Sequence, residues 1–425
     1  MRERNAVFGV LEIANRKSSG VMQTISQNRQ GLKVLITGAV LQLFLGIIYV
    51  WSVFKAPVSE HYGWAPKDVG LTASFMLCFF VVGILAGGKA QMKIGVKLTT
   101  LVGGLMVAVG MLATGLVPAA VDGAAKAPVF TLFFFYGVIG GFGVGAAYNS
   151  ILSSAQKWFP KNRGFATGVS VCAFGFSTVI FAPLIDALNK NLAVNVTFLI
   201  LSGVFAAAVL LIFGFIKTPD QTPNASVPVL TGKQYTTLEV IKTGRFYLIS
   251  LSLMFGTSVF FIINPDLRDL ALNRDAASFA TALVMIMGIS NAVGRLCVPF
   301  MSDKIGREPA DIIILSATSL GAFGLCFAQG FLLIAIIAVV AFCYGGYSGM
   351  YPVLTSENFG IKNIGSNYGA VMVGFMISAL LFPIIVNKID DQVLRFVTLG
   401  ALSAVGAVLV VILRAINLKR AASQT

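Results

Sequence analysis

The chain has 425 residues, of which 57% are hydrophobic and only 11% charged, and its formal net charge is +14 at pH 7. A soluble globular domain has about 25% charged residues, so this composition excludes an ordinary soluble protein. Apolar runs of about 20 residues recur along the chain, and they predict an all-α membrane protein. The positive charge then indicates basic cytoplasmic loops rather than a nucleic-acid partner.

Hydrophobic windows bounded by charge, proline and glycine predict twelve transmembrane helices in two pseudo-symmetric six-helix bundles. A cytoplasmic tail (1–33) precedes the first bundle (34–216), a central cytoplasmic loop (217–245) precedes the second (246–413), and a cytoplasmic tail (414–425) follows. The predicted spans are 34–54, 69–88, 98–117, 129–152, 165–184, 193–216, 246–264, 278–301, 312–329, 331–354, 368–387 and 394–413.

The distribution of basic residues predicts the orientation of these spans. With the N-terminus in the cytoplasm, 22 of the 31 Lys and Arg residues lie on the cytoplasmic side and eight on the opposite side. Cytoplasmic loops are enriched in Lys and Arg, so we expect both termini in the cytoplasm and the protein in the inner cell membrane. The same count places all 17 acidic residues in loops and leaves one charged residue, Arg295, inside a span.

Arg295 lies eight residues before Asp303, in the turn that follows span eight. At roughly 1.5 Å per residue, its guanidinium lies about 12 Å below the membrane surface. A cation there costs at least about 2.5 kcal/mol. With no acid in the predicted spans, its partner is a backbone carbonyl, water reached by snorkelling, or an external anion. The planar fork of a guanidinium matches a carboxylate in two parallel hydrogen bonds, which favours the anion.

Other polar side chains in the spans are candidates for the same site. Asn291 lies one helical turn before Arg295 and shares its face; its alternative role is a hydrogen bond to a neighbouring helix. Tyrosines offer a carboxylate a phenolic donor, and their alternative role is packing. In span ten, Gly345-Gly346 and Pro352 suggest a bendable segment. The further candidates are Tyr49 in span one, Tyr148 and Asn149 in span four, and Tyr344 and Tyr347 in span ten.

The sequence contains no metal-ligand cluster, no cofactor motif and no nucleophile–base pairing. The single histidine, His61, is predicted to be a solvated loop residue, and the five cysteines are predicted to be packing residues. We therefore expect no metal, no cofactor and no enzymatic activity.

Two pairs of loops indicate an internal duplication. The loops after spans two and eight read KIGVK (93–97) and KIGR (304–307), and those after spans four and ten read FPKNRG (159–164) and FGIKNIG (359–365). Such repeats are typical of transporters with a central site between two bundles. The second loop resembles the loop motif of the major facilitator superfamily, and Met92 stands in the first copy where that family has an acid. The motif residues are Asp303, Lys304, Gly306 and Arg307.

A wider set of motifs resembles the oxalate/formate antiporter family. The resemblance implies organic-anion transport by alternating access, with Arg295 as the carboxylate ligand and Tyr49 and Tyr148 lining the site. The motifs are Tyr49-x-Trp51, Tyr148 before Trp158-Phe159-Pro160, Arg295 before Asp303-Lys304-x-Gly306-Arg307, and Asn367-Tyr368-Gly369.

The chain also departs from that family. Its oxalate exchangers have a second cation at the position of Phe375, and Tyr, Tyr and Trp at the positions of Phe174, Ser348 and Met372. Proton-linked monocarboxylate porters, which resemble the Arg295 arrangement, have an Asp at the position of Asn291. A dicarboxylate beside one cation would leave a buried charge uncompensated, so oxalate is disfavoured.

The sequence therefore predicts a secondary active transporter of small monocarboxylates of the lactate, pyruvate or formate type. Arg295 would bind the carboxylate, with Phe375 as an apolar contact and with coupling by anion exchange or by proton entry. We expect a monomer whose partners are the organic anion, the lipid bilayer and, as a candidate, protons. The alternatives are an oxalate/formate-type exchanger, a transporter of drugs or sugars with the same fold, and a transport-fold sensor.

Overall fold

A computed structural model of the protein describes residues 29–219, 233–386 and 388–422, apart from the side chains of residues 265, 266, 268, 269, 277, 280–282, 284 and 421. Residues 1–28 of the predicted N-terminal tail lie outside these ranges, as do 220–232 of the central loop, residue 387 at the end of span eleven and 423–425 of the C-terminal tail. The regular structure of the described residues is helical, apart from one isolated bridge between Val121 and Ala124.

Eleven long helices make up most of the described chain. They are α1 (Arg29–Tyr62), α2 (Pro66–Gly115), α3 (Phe130–Trp158), α4 (Arg163–Asn191), α5 (Val194–Ile212), α6 (Gly244–Leu272), α7 (Ala280–Ile305), α8 (Arg307–Gly324), α9 (Gly330–Phe359), α10 (Ile364–Val386) and α11 (Gln392–Ala422). Within α1, residues Gly46–Val50 tighten into a 3₁₀ turn, and within α3, residues Phe133–Gly140 widen into a π-helix.

Ten helices of the described residues are long and apolar enough to cross a membrane. One of them, α2, has 50 residues, which at 1.5 Å per residue is about 75 Å, and it leaves helical geometry at Gly95. It therefore supplies two crossings. The 18-residue α8 has three charged residues in its first five positions, Arg307, Glu308 and Asp311, and lies outside these ten. It corresponds to the predicted ninth span, and the total of twelve crossings stays a prediction. The predicted all-α membrane fold is confirmed.

The loops after the predicted spans two and eight have nearly the same backbone conformation. Gly95 has φ 83° and ψ 161°, and Gly306 has φ 95° and ψ 157°. Residues with a Cβ rarely adopt a positive φ of this kind, so both turns require glycine. This likeness supports the duplication inferred from the loop sequences, whereas the bounds of the two bundles stay a prediction.

Helices of the two predicted bundles meet in two main pairs, α4 with α7 and the first half of α2 with α10. We call the end of the molecule that carries the Asp303–Arg307 loop the motif end. There the packing is close, because a Cβ on Gly88 would lie 2.4 Å from the carbonyl carbon of Gly365. The two predicted bundles are therefore in backbone contact at the motif end.

Both ends of the described chain lie at the motif end. Gly31, near the start of α1, packs against Trp158, which precedes the loop that contacts Asp303. Asn417, near the end of α11, donates a hydrogen bond of 2.8 Å to Glu308. A chain that crosses the membrane an even number of times has both of its ends on the same side. Which side of the membrane the motif end faces stays a prediction.

Two residues that the sequence placed in loops lie in helices. His61 lies in the last turn of α1, and its Nε2 is buried without a hydrogen-bond partner among the described residues. Asp311 lies inside α8 and is 0% exposed. Hydropathy windows end at charged residues, so they placed the start of this span at residue 312, whereas the helix begins at Arg307.

The segment of span ten that the sequence predicts to be bendable is helical throughout, and its bending stays a prediction. Helix α9 continues from Gly330 to Phe359 through Gly345, Gly346 and Pro352. A proline inside a helix removes one hydrogen bond, and here the packing of neighbouring helices keeps the element continuous.

Candidate functional site

Arg295 lies in the second half of α7 with 1% of its surface exposed. Its Nε donates to Asn291 Oδ1 at 3.0 Å, and its Nη2 donates to the hydroxyl of Tyr49 in α1 at 3.1 Å. The guanidinium also lies 5.2 Å from the ring centroid of Tyr49 and 5.8 Å from that of Phe174, which are attractive cation–π distances. Neutral groups from both predicted bundles therefore hold this cation.

The charge of Arg295 has no acidic partner in the described part of the chain. No Asp or Glu there lies within 4.0 Å of its guanidinium. A guanidinium has five N–H donors, and the contacts to Asn291 and Tyr49 use two of them. Three donors remain for a further acceptor, and an anion would satisfy both the donors and the charge.

Two glycines provide the space that the arginine occupies. A Cβ on Gly175 of α4 would lie 3.0 Å from Arg295 Cδ. A Cβ on Gly345 of α9 would lie 2.0 Å from the backbone oxygen of Asn291 and 2.9 Å from the backbone nitrogen of Arg295. A larger residue at position 345 would push α9 away from α7 and displace the guanidinium. Gly345 therefore serves close helix packing at the site.

Arg295 faces a small cavity between the two predicted bundles. The space open to the centre of a water molecule is about 20 Å³, which is enough for about one water. Eight of the twelve lining residues are aromatic. The lining consists of Tyr49, Phe80, Tyr148 and Phe174 from the first bundle and Leu253, Arg295, Tyr347, Ser348, Tyr351, Tyr368, Met372 and Phe375 from the second.

Five of the predicted site residues line this cavity: Arg295, Tyr49, Tyr148, Tyr347 and Phe375. The ring of Tyr148 packs edge-on against the ring of Phe174, with 5.0 Å between centroids. The hydroxyl of Tyr347 lies 2.9 Å from that of Thr318 in α8, so its polar end is engaged away from Arg295.

The other three predicted site residues lie outside the cavity lining. Asn291 orients Arg295 from behind. The ring of Tyr344 stacks on that of Phe260, and its hydroxyl, which has no hydrogen-bond partner among the described residues, lies near Arg295. Asn149 donates from Nδ2 to the carbonyls of Ile84, at 2.8 Å, and Gly365, at 2.7 Å. Asn149 thereby joins α3 to α10.

Several lining residues were missed or only partly identified from the sequence. Phe174, Ser348 and Met372 were identified as wall positions by resemblance, and Tyr368 only as part of a motif. Phe80, Leu253 and Tyr351 were not assigned to the site. Tyr351 carried a usable signal, because Tyr344, Tyr347 and Tyr351 recur at the three-and-four spacing of one helix face.

The motif end is closed by a charged contact between α7 and α4. Asp303 accepts from the backbone amides of Gly164, at 3.1 Å, and Phe165, at 3.0 Å, in the first turn of α4. A helix N-terminus favours negative charge at this place. Arg307 pairs with Asp303, and its Nε donates to Glu357 Oε1 at 3.0 Å. We call Asp303, Arg307 and these two amides the latch.

The other two motif residues have different surroundings. Gly306 supplies the positive φ of the turn between α7 and α8. Lys304 is exposed, and its Nζ lies 5.1 Å from the ring centroid of Phe300.

The family model of the Major Facilitator Superfamily matches residues 35–383. The chain belongs to the Major Facilitator Superfamily. The membership that the loop motif predicted is therefore confirmed. As a member, the chain is a secondary transporter and not an enzyme.

The chain is similar to the uncharacterized MFS-type transporter YhjX of Escherichia coli (strain K12), with 28% identity over 356 residues, 81% of this chain and 85% of that protein. It is also 28% identical to the oxalate:formate antiporter of Oxalobacter formigenes over 332 residues, 76% of each chain. The solved structure of the proton:xylose symporter XylE bound to 6-bromo-6-deoxy-D-glucose is similar in fold. It has a TM-score of 0.65 and 16% identity over 90% of this chain and 95% of that chain.

Proposed function

We propose that this protein transports small monocarboxylate anions and that Arg295 binds the carboxylate. One observation carries the proposal: Arg295 is buried between the predicted bundles, and among the described residues no acid lies within 4.0 Å of it. A desolvated charge is costly unless it is paired. A carboxylate from outside would supply the missing charge and accept the unused N–H donors.

The rest of the lining supports a monocarboxylate. Arg295 is the one Lys, Arg or His in the lining of this cavity, and Phe375, Met372 and Leu253 present apolar surface. A dicarboxylate would leave its second charge uncompensated, whereas a short apolar tail would be satisfied by these contacts. The similarity to the oxalate:formate antiporter supports an organic anion as the substrate class.

The size of the cavity supports alternating access. With room for about one water, the cavity must widen before a carboxylate of the lactate type can reach Arg295. The latch and the contact of Gly88 with Gly365 close the motif end. We therefore expect substrate to enter this conformation from the opposite end, with the two bundles rocking to expose Arg295 to each side in turn.

The substitution of Arg295 by lysine tests the proposed carboxylate ligand. Lysine keeps the charge but lacks the planar fork, so we expect the KM for the carboxylate to rise at least about tenfold, or about 1.4 kcal/mol. Arg295→Ala should abolish uptake. The measurement is uptake of labelled formate, lactate and pyruvate by purified protein in liposomes.

Arg274→Lys is the matched control, because Arg274 lies outside the cavity lining and its Nη2 donates a hydrogen bond of 2.7 Å to Gln392 Oε1. Its uptake should match that of the wild type. Full uptake by a folded Arg295→Ala variant would contradict the proposal. Competition by unlabelled oxalate as strong as that by formate would instead indicate an oxalate/formate-type exchanger.

A further inference from the structure

Asp311 in α8 is a buried acid with no role in the site described above. It is 0% exposed, and neither carboxylate oxygen accepts a hydrogen bond of good geometry from the described residues. No Lys, Arg or His in the described ranges lies within 4.0 Å of it. A buried carboxylate anion without a cationic partner is costly, and binding a proton would remove that charge.

Two tyrosines of α9 connect Asp311 with the Arg295 cavity. Tyr351 lies next to Asp311, and Tyr347, one helical turn earlier, is also close enough to act on its charge. Both tyrosines line the cavity. The Tyr351 hydroxyl lies 2.9 Å from Ser252 Oγ of α6, and the Tyr347 hydroxyl lies 2.9 Å from that of Thr318 in α8. Hydroxyl groups therefore lie on the side of Asp311, while the same two tyrosines line the cavity.

Two charged residues, Arg307 and Glu308, lie one turn before Asp311 on α8, and Arg307 is already paired with Asp303 and Glu357. Glu308, one turn earlier on α8, acts on Asp311 and accepts a hydrogen bond of 2.8 Å from Asn417 of α11. From α6 the polar group here is Ser252, and from α7 Asp303 is already held in the latch. Arg307 is held by two other acids, and among the described side chains no Lys, Arg or His lies within 4.0 Å of Asp311, so a proton is the cation that suits this carboxylate.

We propose that Asp311 is the proton-binding residue of this transporter. Its carboxylate forms an O–H bond with a proton from water when the cavity is open to one side, and the proton returns to water when the cavity is open to the other side. One proton and one monocarboxylate at Arg295 would then cross together without net charge. This inference rests on the proposed function, and it supplies the titratable acid that position 291 lacks.

Asp311→Asn is the variant that tests the proposal, because asparagine has the shape and neutrality of the protonated acid. In liposomes with equal pH on both sides, exchange of labelled for unlabelled formate should persist. Uptake driven by an imposed pH gradient should be lost, as should the proton movement that an entrapped pH-sensitive dye records during formate uptake. Asp186→Asn, at an exposed acid of α4 that pairs with Lys190, is the matched control and should retain all three activities.

Infrared spectra of the purified wild type and of each variant, compared by subtraction, give a measurement that does not require transport. The wild type and Asp186→Asn should show the C=O stretch of a protonated carboxylic acid, and Asp311→Asn should lack it. Wild-type formate uptake without proton movement, gradient-driven uptake by Asp311→Asn, or absence of the band from the wild type would overturn the proposal. A present band in a wild type that transports no carboxylate would overturn the proposed function instead.

Discussion

The side chain of Arg295 makes one hydrogen bond within its own helix and one across the interface between the predicted bundles. The bond to Asn291 orients the guanidinium, and the bond to Tyr49 links α7 with α1. A phenol can accept from a guanidinium and donate to a carboxylate at the same time. We therefore expect Tyr49 to position Arg295 and also to contact the substrate.

Tyr49→Phe tests this dual role. It keeps the ring that lies near the guanidinium but removes the hydroxyl, and a hydrogen bond to a charged group contributes about 1.5–3 kcal/mol. The KM for the carboxylate should therefore rise about tenfold or more. Uptake kinetics in liposomes give this value.

Tyr136→Phe is the control for this substitution. Tyr136 is buried in α3, does not line the cavity, and has a hydroxyl without a partner among the described residues. Removal of the Tyr136 hydroxyl should leave the KM for the carboxylate unchanged. An unchanged KM in Tyr49→Phe would show that the hydroxyl does not contact the substrate.

Single residues differ in how well the sequence reveals them. Arg295 could be identified because a lone charge in a long apolar run is costly and therefore conspicuous. Asp311 could not, since it lies beside other charges near a helix end, and only the packing of helices around it makes it buried. Asn149 likewise has the composition of a site residue, but tertiary contacts place its amide between two backbone carbonyls.

At the scale of helices, hydropathy predicted where crossings occur better than where they end. Predicted spans two and three lie in one continuous element, α2, whose direction changes at Gly95. The predicted fourth span ended at residue 152, whereas α3 continues to Trp158. Polar residues in these last turns are buried by neighbouring helices, which a window of hydropathy along one chain cannot detect.

The contact between α2 and α10 leads to a prediction about opening. Valine at position 88 would place side-chain atoms where the backbone of Gly365 lies, so the two helices would have to separate. In a background without native cysteines, a cysteine at position 153, next to Gln91 at this end, should react faster with a water-soluble maleimide in Gly88→Val.

Gly203→Ala is the control for Gly88→Val. No atom lies within 4 Å of a Cβ at Gly203 in α5, so the labelling rate should not change. Alanine in a helix should also stabilise the protein by about 0.5–1 kcal/mol. Equal labelling rates in Gly88→Val and the parent would contradict the predicted separation.

For the whole molecule, the latch is the charged contact that holds α4 and α7 together at the motif end. Asp303→Asn keeps the shape of the side chain but removes the charge that pairs with Arg307 and the N-terminus of α4. We expect the motif end to open more often. Spin labels at positions 161 and 362, on exposed loops of the two predicted bundles, should show longer distances.

Lys304→Gln serves as the control for the latch variant. Lys304 is exposed and neighbours Asp303, but its contact is with the ring of Phe300 in its own helix. Its distance distribution should equal that of the parent protein. If the distance distribution of Asp303→Asn also equals that of the parent protein, the latch charge does not hold the motif end closed.

The near-identical backbones at Gly95 and Gly306 separate two tasks of the repeated loop. Both copies make the turn, but Met92 occupies the place that Asp303 has in the second copy, so the chain has two turns and one charged anchor. The stability of the closed motif end should therefore depend on the number of charged anchors. Substitutions at positions 92 and 303 would give zero, one or two anchors. Each added anchor would lengthen the time that the protein spends with the motif end closed.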